Sequence, residues 1–304
     1  MTSFIAWVGV DQRGPSSLYF ASDSRVTWDK KNPWDACKKV FACNSQPEVF
    51  GFVDYPLLPM NALTKAVAAI DAGLRPKQAE LSAEGRCDWL WEQIKWEATK
   101  HPKNELKSFN IFYGLRTGSK HPIKLATSGE EQDADLARFH LFVLSWDHKE
   151  EVWYERTIQV PSKVSSVLHI DGSGFASIKD WTARWHESEQ KDTSRVVFSA
   201  FCDSLASNSD ESSGGAPQLV GTYWDKNAQT FGVHTQAHGA TFQGSPYKGY
   251  EMGGVSWRNS LFERVNPLGT LLPKAQRHSR PKLGNPSIDR LDASRLVKLA
   301  HKGP

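Results

Sequence analysis

Residues 3–10, SFIAWVGV, predict the first β-strand of the domain, and the fold follows from the way the chain turns back on it. The segment DQRGPSS at 11–17 is rich in turn-forming residues, and SLYFASDSRVT at 17–27 predicts a second strand, so the two form a hairpin. Domains usually begin with a few loose residues, but here only Met1 and Thr2 precede the strand. We therefore expect Thr2 to be held rigidly at the start of the sheet.

Composition is that of a soluble globular protein. Of the 304 residues, 39% are hydrophobic and 23% are charged, which suffices for one large domain or one domain with an extension. No apolar run approaches the roughly 18 residues that span a bilayer, and the N-terminus lacks the pattern of a signal peptide. The four cysteines lack CxxC or metal-ligand spacing, and the ten histidines form no HExxH pair. We therefore predict a cytoplasmic protein with reduced thiols, no membrane contact, no metal and no other cofactor.

The order of the predicted elements indicates layers of helices on antiparallel sheets. Two short strands at 38–43 and 48–53 follow the hairpin, and then come two helices at 58–74 and 86–101, the second with Asp88 as its N-cap. Strands return at 108–116, 137–147, 151–160 and 166–172. Two more helices at 174–189 and 194–208 precede the last strands at 218–225 and 230–236. Because hairpins dominate and the helices are segregated from the strands, helices are expected to pack on largely antiparallel sheets.

The end of the sequence is basic. Residues 236–304 contain eleven Lys and Arg against four Asp and Glu, a net charge of +7, whereas the first 235 residues carry −4. Aromatic residues are not interleaved with these charges, so PKAQRHSRPK favours a solvated extension or a subunit-contact arm over nucleic-acid binding. Since hydrophobic periodicity fades after residue 236, we predict one domain over 1–236 and a C-terminal extension over 237–304.

Thr2 has the chemistry of a self-activated nucleophile. A threonine hydroxyl attacks a carbonyl only when a base takes its proton. Methionine before a small residue is readily removed, and removal of Met1 would leave Thr2 with a free α-amine beside its own hydroxyl. Such an amine has a pKa of about 7.7–8.0, so part of it is neutral near physiological pH. Nucleophile and base would then lie on one residue.

Asp23 in ASDSRVT and Lys39 in CKKVF support this interpretation, because a lysine paired with an aspartate can lower the proton affinity of a nearby hydroxyl. At these positions the sequence resembles the proteasome β subunits and their bacterial relatives among the N-terminal-nucleophile hydrolases. Members of that family have an N-terminal Thr on the first strand, an Asp in an ADSR-like segment, and a catalytic Lys sixteen residues further. The resemblance implies these roles for Thr2, Asp23 and Lys39.

Two later segments are similar to the same family. DGSGF at 171–175 resembles its Gly-Ser-Gly turn, which implies that Ser173 lies beside the active threonine. SDESSGG at 209–215 resembles its Asp-x-x-Ser-Gly-Gly, which implies supporting roles for Asp210 and Ser213. The resemblance spans roughly residues 2–236. It implies an α+β fold, the four-layer αββα sandwich of N-terminal-nucleophile hydrolases, here with a C-terminal extension.

One segment departs from the family pattern. A glycine-rich run usually supplies the oxyanion-hole N–H, but here GFVDYPLLP places Tyr55 at that point and Pro56 after it. The backbone N–H of Tyr55 is the expected oxyanion donor, while Pro56 has none. By resemblance, Val26, Cys37 and Val53 line the substrate pocket, which implies an apolar side chain on the substrate.

The resemblance implies a threonine-type endopeptidase in which Thr2 attacks peptide bonds through an acyl-enzyme. Two alternatives are a catalytically silent scaffold subunit and an N-terminal-nucleophile amidase acting on small amides. The expected partners are a peptide or unfolded-protein substrate and further copies of the chain, with a possible ATPase or other regulator. Both helices of the first pair carry more apolar residues than one buried stripe needs, including Trp89, Trp91 and Trp96. We expect those faces, and an arm pairing with Glu130 and Glu131, to make subunit contacts.

Overall fold

The computed structural model describes residues 2–27, 32–119 and 136–282. The strands in these ranges are β1 (Phe4–Asp11), β2 (Gly14–Ser22), β3 (Val26–Thr27), β4 (Pro33–Trp34), β5 (Val40–Ala42), β6 (Glu48–Asp54), β7 (Phe109–Thr117), β8 (Arg138–Asp147), β9 (Val152–Ile158), β10 (Ser166–Asp171), β11 (Gln218–Tyr223), β12 (Lys226–Thr235), β13 (Gly239–Phe242), β14 (Ser245–Pro246), β15 (Trp257–Asn259) and β16 (Arg264–Val265). The α-helices are α1 (Leu57–Asp71), α2 (Ala83–Lys100), α3 (Phe175–His186) and α4 (Ser194–Ala206).

Most strands form two large sheets, and β3 and β4 pair separately with each other. In the first sheet the order is β10-β1-β2-β11-β12-β13-β14, and β15 and β16 join it beside β12. In the second sheet the order is β5-β6-β7-β8-β9. Every pairing among the long strands is antiparallel, as the predominance of hairpins predicted.

Strand β1 shows why the sheets and helices form four layers. Phe4, Ala6 and Val8 pack in the core between the two sheets, while Ile5 and Trp7 point to the other face and pack with α3 and α4. Successive side chains of a strand point to opposite faces, so a strand that is apolar throughout can be covered on both sides. The segment SFIAWVGV is therefore the centre of the fold.

The second sheet is covered in the same way. Val49 and Val53 on β6 face the core between the sheets, while Phe50 and Phe52 face the helices α1 and α2. Together these contacts give the order α1/α2, second sheet, first sheet, α3/α4. The predicted α+β fold, a four-layer αββα sandwich, is confirmed.

The start of α2 differs from the prediction. Ser82 caps the helix, and its side chain accepts a hydrogen bond from the backbone N–H of Gly85. Asp88 lies one turn inside the helix, so its predicted role as the N-cap is wrong. Ser82 satisfies the preference for a short polar side chain at this position.

The predicted extension is in large part a piece of the first sheet. The proposed boundary at residue 236 falls inside the hairpin of β12 and β13, whose strands are paired in register. Trp257 and Val265 are buried, and the ring of Phe262 packs 5.4 Å from that of Tyr19. Gln190 Nε2 donates to the carbonyl of Ser279 at 2.9 Å. The division at residue 236 is therefore wrong for residues 237–282, because short strands with weak periodicity still pair with an existing sheet.

Two truncations separate this part of the chain from the residues after it. A chain ending at residue 236 loses Trp257 and its neighbours, and loss of one buried tryptophan alone costs about 3–5 kcal/mol. We expect it to fail to fold or to melt far below the full-length protein. A chain ending at residue 282 keeps every described contact and should melt close to the full-length protein. Thermal unfolding followed by circular dichroism compares them, and equal melting temperatures for the two truncated chains would contradict this account.

Candidate active site

Thr2 lies fully buried just before β1, against the turn between β10 and α3. The carbonyl of Thr2 accepts a hydrogen bond from the N–H of Gly174 at 3.2 Å. Gly172 has φ +87°, and a Cβ there would come within 2.0 Å of that carbonyl. Only glycine allows so close an approach in this conformation. The turn therefore fixes Thr2 from one side while the strand fixes it from the other.

Lys39 and Asp23 form a buried ion pair directed at the Thr2 hydroxyl. The Lys39 ammonium lies 3.2 Å from Thr2 Oγ1 and 2.7 Å from Asp23 Oδ1, and it also donates to the carbonyl of Arg25. The side chains of Lys39 and Asp23 are 1% and 0% exposed. A cation at this distance in a buried site stabilises negative charge on the oxygen.

The carboxylate of Asp23 is held by backbone donors as well as by Lys39. It accepts hydrogen bonds from the N–H groups of Ser3, Arg25 and Gly214, at 3.1, 3.2 and 3.0 Å. These donors come from the residue before β1, from the segment after β2, and from the loop before β11. Such multiple bonds hold a buried carboxylate in one orientation.

Ser173, Asp210 and Ser213 meet on the amino side of Thr2. The nitrogen of Thr2 lies 3.2 Å from Ser173 Oγ, and the hydroxyls of Ser173 and Ser213 donate to Asp210 Oδ2 at 2.7 and 2.6 Å. Burial by itself raises the pKa of Asp210, but the bonds from Ser213 and Ser173 outweigh it and hold this pKa below its ordinary value. The carboxylate is thus ionised at neutral pH and keeps both hydroxyls oriented.

Ser3 and Arg25 belong to the site although the sequence reasoning did not assign them. Ser3 Oγ donates to Ser213 Oγ at 3.0 Å, so it connects the strand to the serine pair. Arg25 forms a bidentate ion pair with Asp35 at 2.7 and 2.8 Å and donates to the carbonyl of Glu211. The hydrogen bond from Arg25 holds the pKa of Asp35 below its ordinary value. Arg25 lies within ASDSRVT, the segment that also contains Asp23, and its position there could have indicated a role in the site.

The expected oxyanion donor is occupied in the structure. The backbone N–H of Tyr55 donates to the carbonyl of Ser108 at 3.4 Å, and the Tyr55 hydroxyl lies 3.1 Å from His101 Nε2. In this structure the Tyr55 N–H is therefore bonded within the protein, and its role as oxyanion donor stays a prediction. Asp54, the last residue of β6, has φ +71° and pairs with Phe109 of β7, which places the Tyr55 N–H beside Ser108.

The three residues predicted to line one pocket are not together. Val26 and Cys37 are buried in the cluster that includes α1 and α2, whereas Val53 is buried between the two sheets. Val53 faces the other sheet because successive side chains of β6 point to opposite sides, and a common lining by the three residues stays a prediction.

A groove of about 590 Å³ lies instead between the start of α1 and the end of α2. Its lining includes Lys38, Leu57, Leu58, Met60, Lys100 and His101. Met60 Sδ lies 3.9 Å from Cys37 Sγ, so the groove adjoins the segment that carries Lys39.

In residues 2–27, 32–119 and 136–282, no cluster of three His, Cys, Asp or Glu side chains has a geometry suited to a metal ion. No helix in those same ranges has the length and apolar character required to span a bilayer. All four cysteines are unpaired and buried, and burial raises the pKa of the Cys37 thiol to about 11. That thiol is therefore protonated at neutral pH and is a poor nucleophile.

Comparisons with known proteins give structural matches only. No protein-family model matches the chain, and no curated protein matches it. Anbu, an ancestral β-subunit from Yersinia bercovieri, is 14% identical over 75% of this chain and 86% of its own, with a TM-score of 0.45. HslV from Trypanosoma brucei is 15% identical over 72% and 98%, with a TM-score of 0.39. BPH from Thiobacillus denitrificans is 13% identical over 73% and 98%, with a TM-score of 0.41. The likeness to these solved structures is one of fold.

Proposed function

We propose that this chain is a threonine-type peptidase of the proteasome-like kind, with Thr2 as its nucleophile once Met1 has been removed. The observation that carries the proposal is the buried Lys39 ammonium, 3.2 Å from Thr2 Oγ1 and 2.7 Å from Asp23. A buried lysine and aspartate are costly to retain, and here their charges are directed at a hydroxyl beside a chain terminus. That arrangement fits a nucleophile better than it fits a structural ion pair.

The proposed reaction has two stages. The neutral α-amine of Thr2 takes the proton from Oγ1, which attacks the carbonyl carbon of a peptide bond, and Lys39 stabilises the negative charge on the oxygen. Collapse of the tetrahedral intermediate breaks the C–N bond, and the protonated amine returns a proton to the departing amino group. Water, deprotonated by the same amine, then hydrolyses the ester to release the acid and restore Thr2. Ser173 and the Asp210–Ser213 pair orient the amine by hydrogen bonds.

The groove between α1 and α2 is the proposed place for a substrate side chain. Leu57, Leu58 and Met60 give it an apolar wall, which supports the expectation of apolar side chains on the substrate. The chain is further proposed to form a homo-oligomer in the cytoplasm, with a possible ATPase or other regulator. Leu57 and Trp96, at 55% and 57% exposure, support an apolar contact on these helices, whereas Trp91 is buried within the protein.

A catalytically silent scaffold is the second candidate. The observation that favours it is the engaged N–H of Tyr55, next to a proline that has no N–H to offer. A scaffold of this kind would keep the fold and hydrolyse nothing.

The free amine of Thr2 separates the two candidates. Insertion of a lysine between Met1 and Thr2 prevents removal of Met1 and turns the amine into a peptide nitrogen that cannot act as a base. We expect the inserted variant to fold and to lose peptide hydrolysis. The wild type should show a mature mass lacking Met1, and its rate should fall as the pH drops below about 7.7–8.0, where the amine becomes protonated.

A fluorogenic peptide library and intact mass spectrometry make these measurements. Insertion of an alanine at the same place is the control for chain length, because alanine permits removal of Met1 but still leaves Thr2 without a free amine. Full activity in both inserted variants would exclude Thr2 as the catalytic residue. A wild type that lacks Met1 and cleaves no peptide would favour the scaffold.

A further inference from the structure

Gln218, the first residue of β11, lies beneath the site and contacts both charged residues through their backbones. Its side chain is buried, and its Nε2 donates to the carbonyls of Cys37 and Asp23 at 2.5 and 3.4 Å. Its Oε1 accepts the backbone N–H of Lys39 at 3.0 Å. The carboxamide thus uses both its donors and its acceptor on the two segments that carry Asp23 and Lys39.

These two segments belong to different sheets. Asp23 directly follows β2 of the first sheet, and Lys39 directly precedes β5 of the second. Their side chains must meet at 2.7 Å, so a small slip of one sheet against the other would move the ammonium from Thr2 Oγ1. Besides Gln218, the backbone bond from Cys37 N–H to the Ser24 carbonyl at 2.9 Å joins the segments.

A turn from the C-terminal strands covers Gln218. Gly244, between β13 and β14, has φ +82°, and a Cβ there would lie 2.7 Å from Ser24 Cβ and 3.0 Å from Gln218 Nε2. The turn between β13 and β14, which lies beyond the predicted end of the domain, therefore packs against the residue that holds the Asp23 and Lys39 segments together. Only glycine fits both the backbone conformation and the space.

We propose that Gln218, backed by Gly244, is a positioning unit that sets the Lys39 ammonium relative to Asp23 and Thr2. This inference rests on the proposed peptidase function. The carboxamide does not touch the substrate. It acts by fixing the distance between two backbones, and the C-terminal strands take part in catalysis through it.

The first test replaces Gln218 with methionine, which has a similar length and no hydrogen bonds. We expect kcat to fall about 10- to 100-fold with KM nearly unchanged, since a misplacement of about 1 Å has this cost. Thr222→Val is the matched control, because Thr222 is buried on the same strand and its hydroxyl donates to the carbonyls of Tyr223 and Lys226. A folded Gln218→Met protein with the kcat of the wild type would overturn the proposal.

The second test keeps glutamine at position 218 and shifts its side chain from outside. Gly244→Ala should lower kcat about five- to tenfold by pressing on Gln218 and Ser24. Gly239→Ala carries the same kind of backbone strain, with φ +61°, but its Cβ meets nothing within 4 Å. Its kcat should stay within about twofold of the wild type. Equal kcat values for the two alanine variants would also overturn the proposal.

A third measurement does not depend on activity. In crystal structures of the wild type and Gln218→Met, or of Gly244→Ala if the first variant does not fold, we expect the Lys39 Nζ to Thr2 Oγ1 distance to lengthen beyond about 4 Å, the usual limit of a charge-assisted contact. An unchanged distance refutes the positioning role. A wild type without any hydrolysis refutes the proposed function instead.

Discussion

Replacing Thr2 with alanine is expected to reduce peptide hydrolysis to the background rate. The substitution removes Oγ1, the only atom proposed to bond to the substrate, and loss of a nucleophile in a hydrolase costs on the order of 10⁶ in kcat. The fold should persist, because Lys39 keeps its bonds to Asp23 and to the Arg25 carbonyl. Hydrolysis of a fluorogenic peptide and thermal unfolding measure the two effects.

Thr2→Ser is the matched control for this substitution. Serine keeps the hydroxyl and loses only the methyl group, so it should retain measurable hydrolysis. Both replacements are small residues that still permit removal of Met1, so processing is the same. If Thr2→Ala hydrolysed the peptide at the wild-type rate, another residue would have to be the nucleophile.

Replacing Lys39 with methionine is expected to have the second largest effect. The methionine fills the same space without the charge, and loss of an electrostatic group at a developing anion costs about 10²–10³ in kcat. Stability should fall as well, by about 3 kcal/mol, because Asp23 is left as a buried charge without its partner. This expected loss of stability is near the low end for a broken buried ion pair, since three backbone N–H groups still bond to Asp23.

Two further variants separate the effects of Lys39 on activity and on stability. Adding Asp23→Asn to Lys39→Met removes the unpaired buried charge, so it should recover part of the lost stability and none of the lost activity. Lys65→Met removes an exposed lysine paired with Glu97, which should change stability by at most about 1 kcal/mol and leave activity unchanged. A Lys39→Met rate within a few-fold of the wild type would refute its proposed role.

The elements were largely predictable because each strand and helix has a local pattern of its own. The predicted helix at 194–208 corresponds to α4 at Ser194–Ala206, and the predicted strand at 218–225 corresponds to β11 at Gln218–Tyr223. The ends of the elements were predicted less accurately. At the start of α2, for example, the N-cap is Ser82 and not Asp88. Capping is decided by where the preceding chain approaches the helix, which the local pattern does not state.

The polar residues of the candidate site were predictable, whereas the surroundings of Tyr55 were not. Thr2, Asp23, Lys39, Ser173, Asp210 and Ser213 lie together in the structure. The position of the Tyr55 N–H beside Ser108 was not predictable, because it depends on the positive φ of Asp54 and on the pairing of β6 with β7.

The sequence by itself determined the strand at 3–10, the antiparallel layers and the residues able to form a nucleophile, because periodicity and side-chain chemistry are local properties. Only the tertiary structure decided that residues 237–282 belong to the first sheet, that the Tyr55 N–H is engaged by Ser108, and that Gln218 bridges Asp23 and Lys39. The physical reason is that these are hydrogen bonds between segments distant in the chain. Their partners are chosen by how two sheets pack together, and no short stretch of sequence encodes that packing.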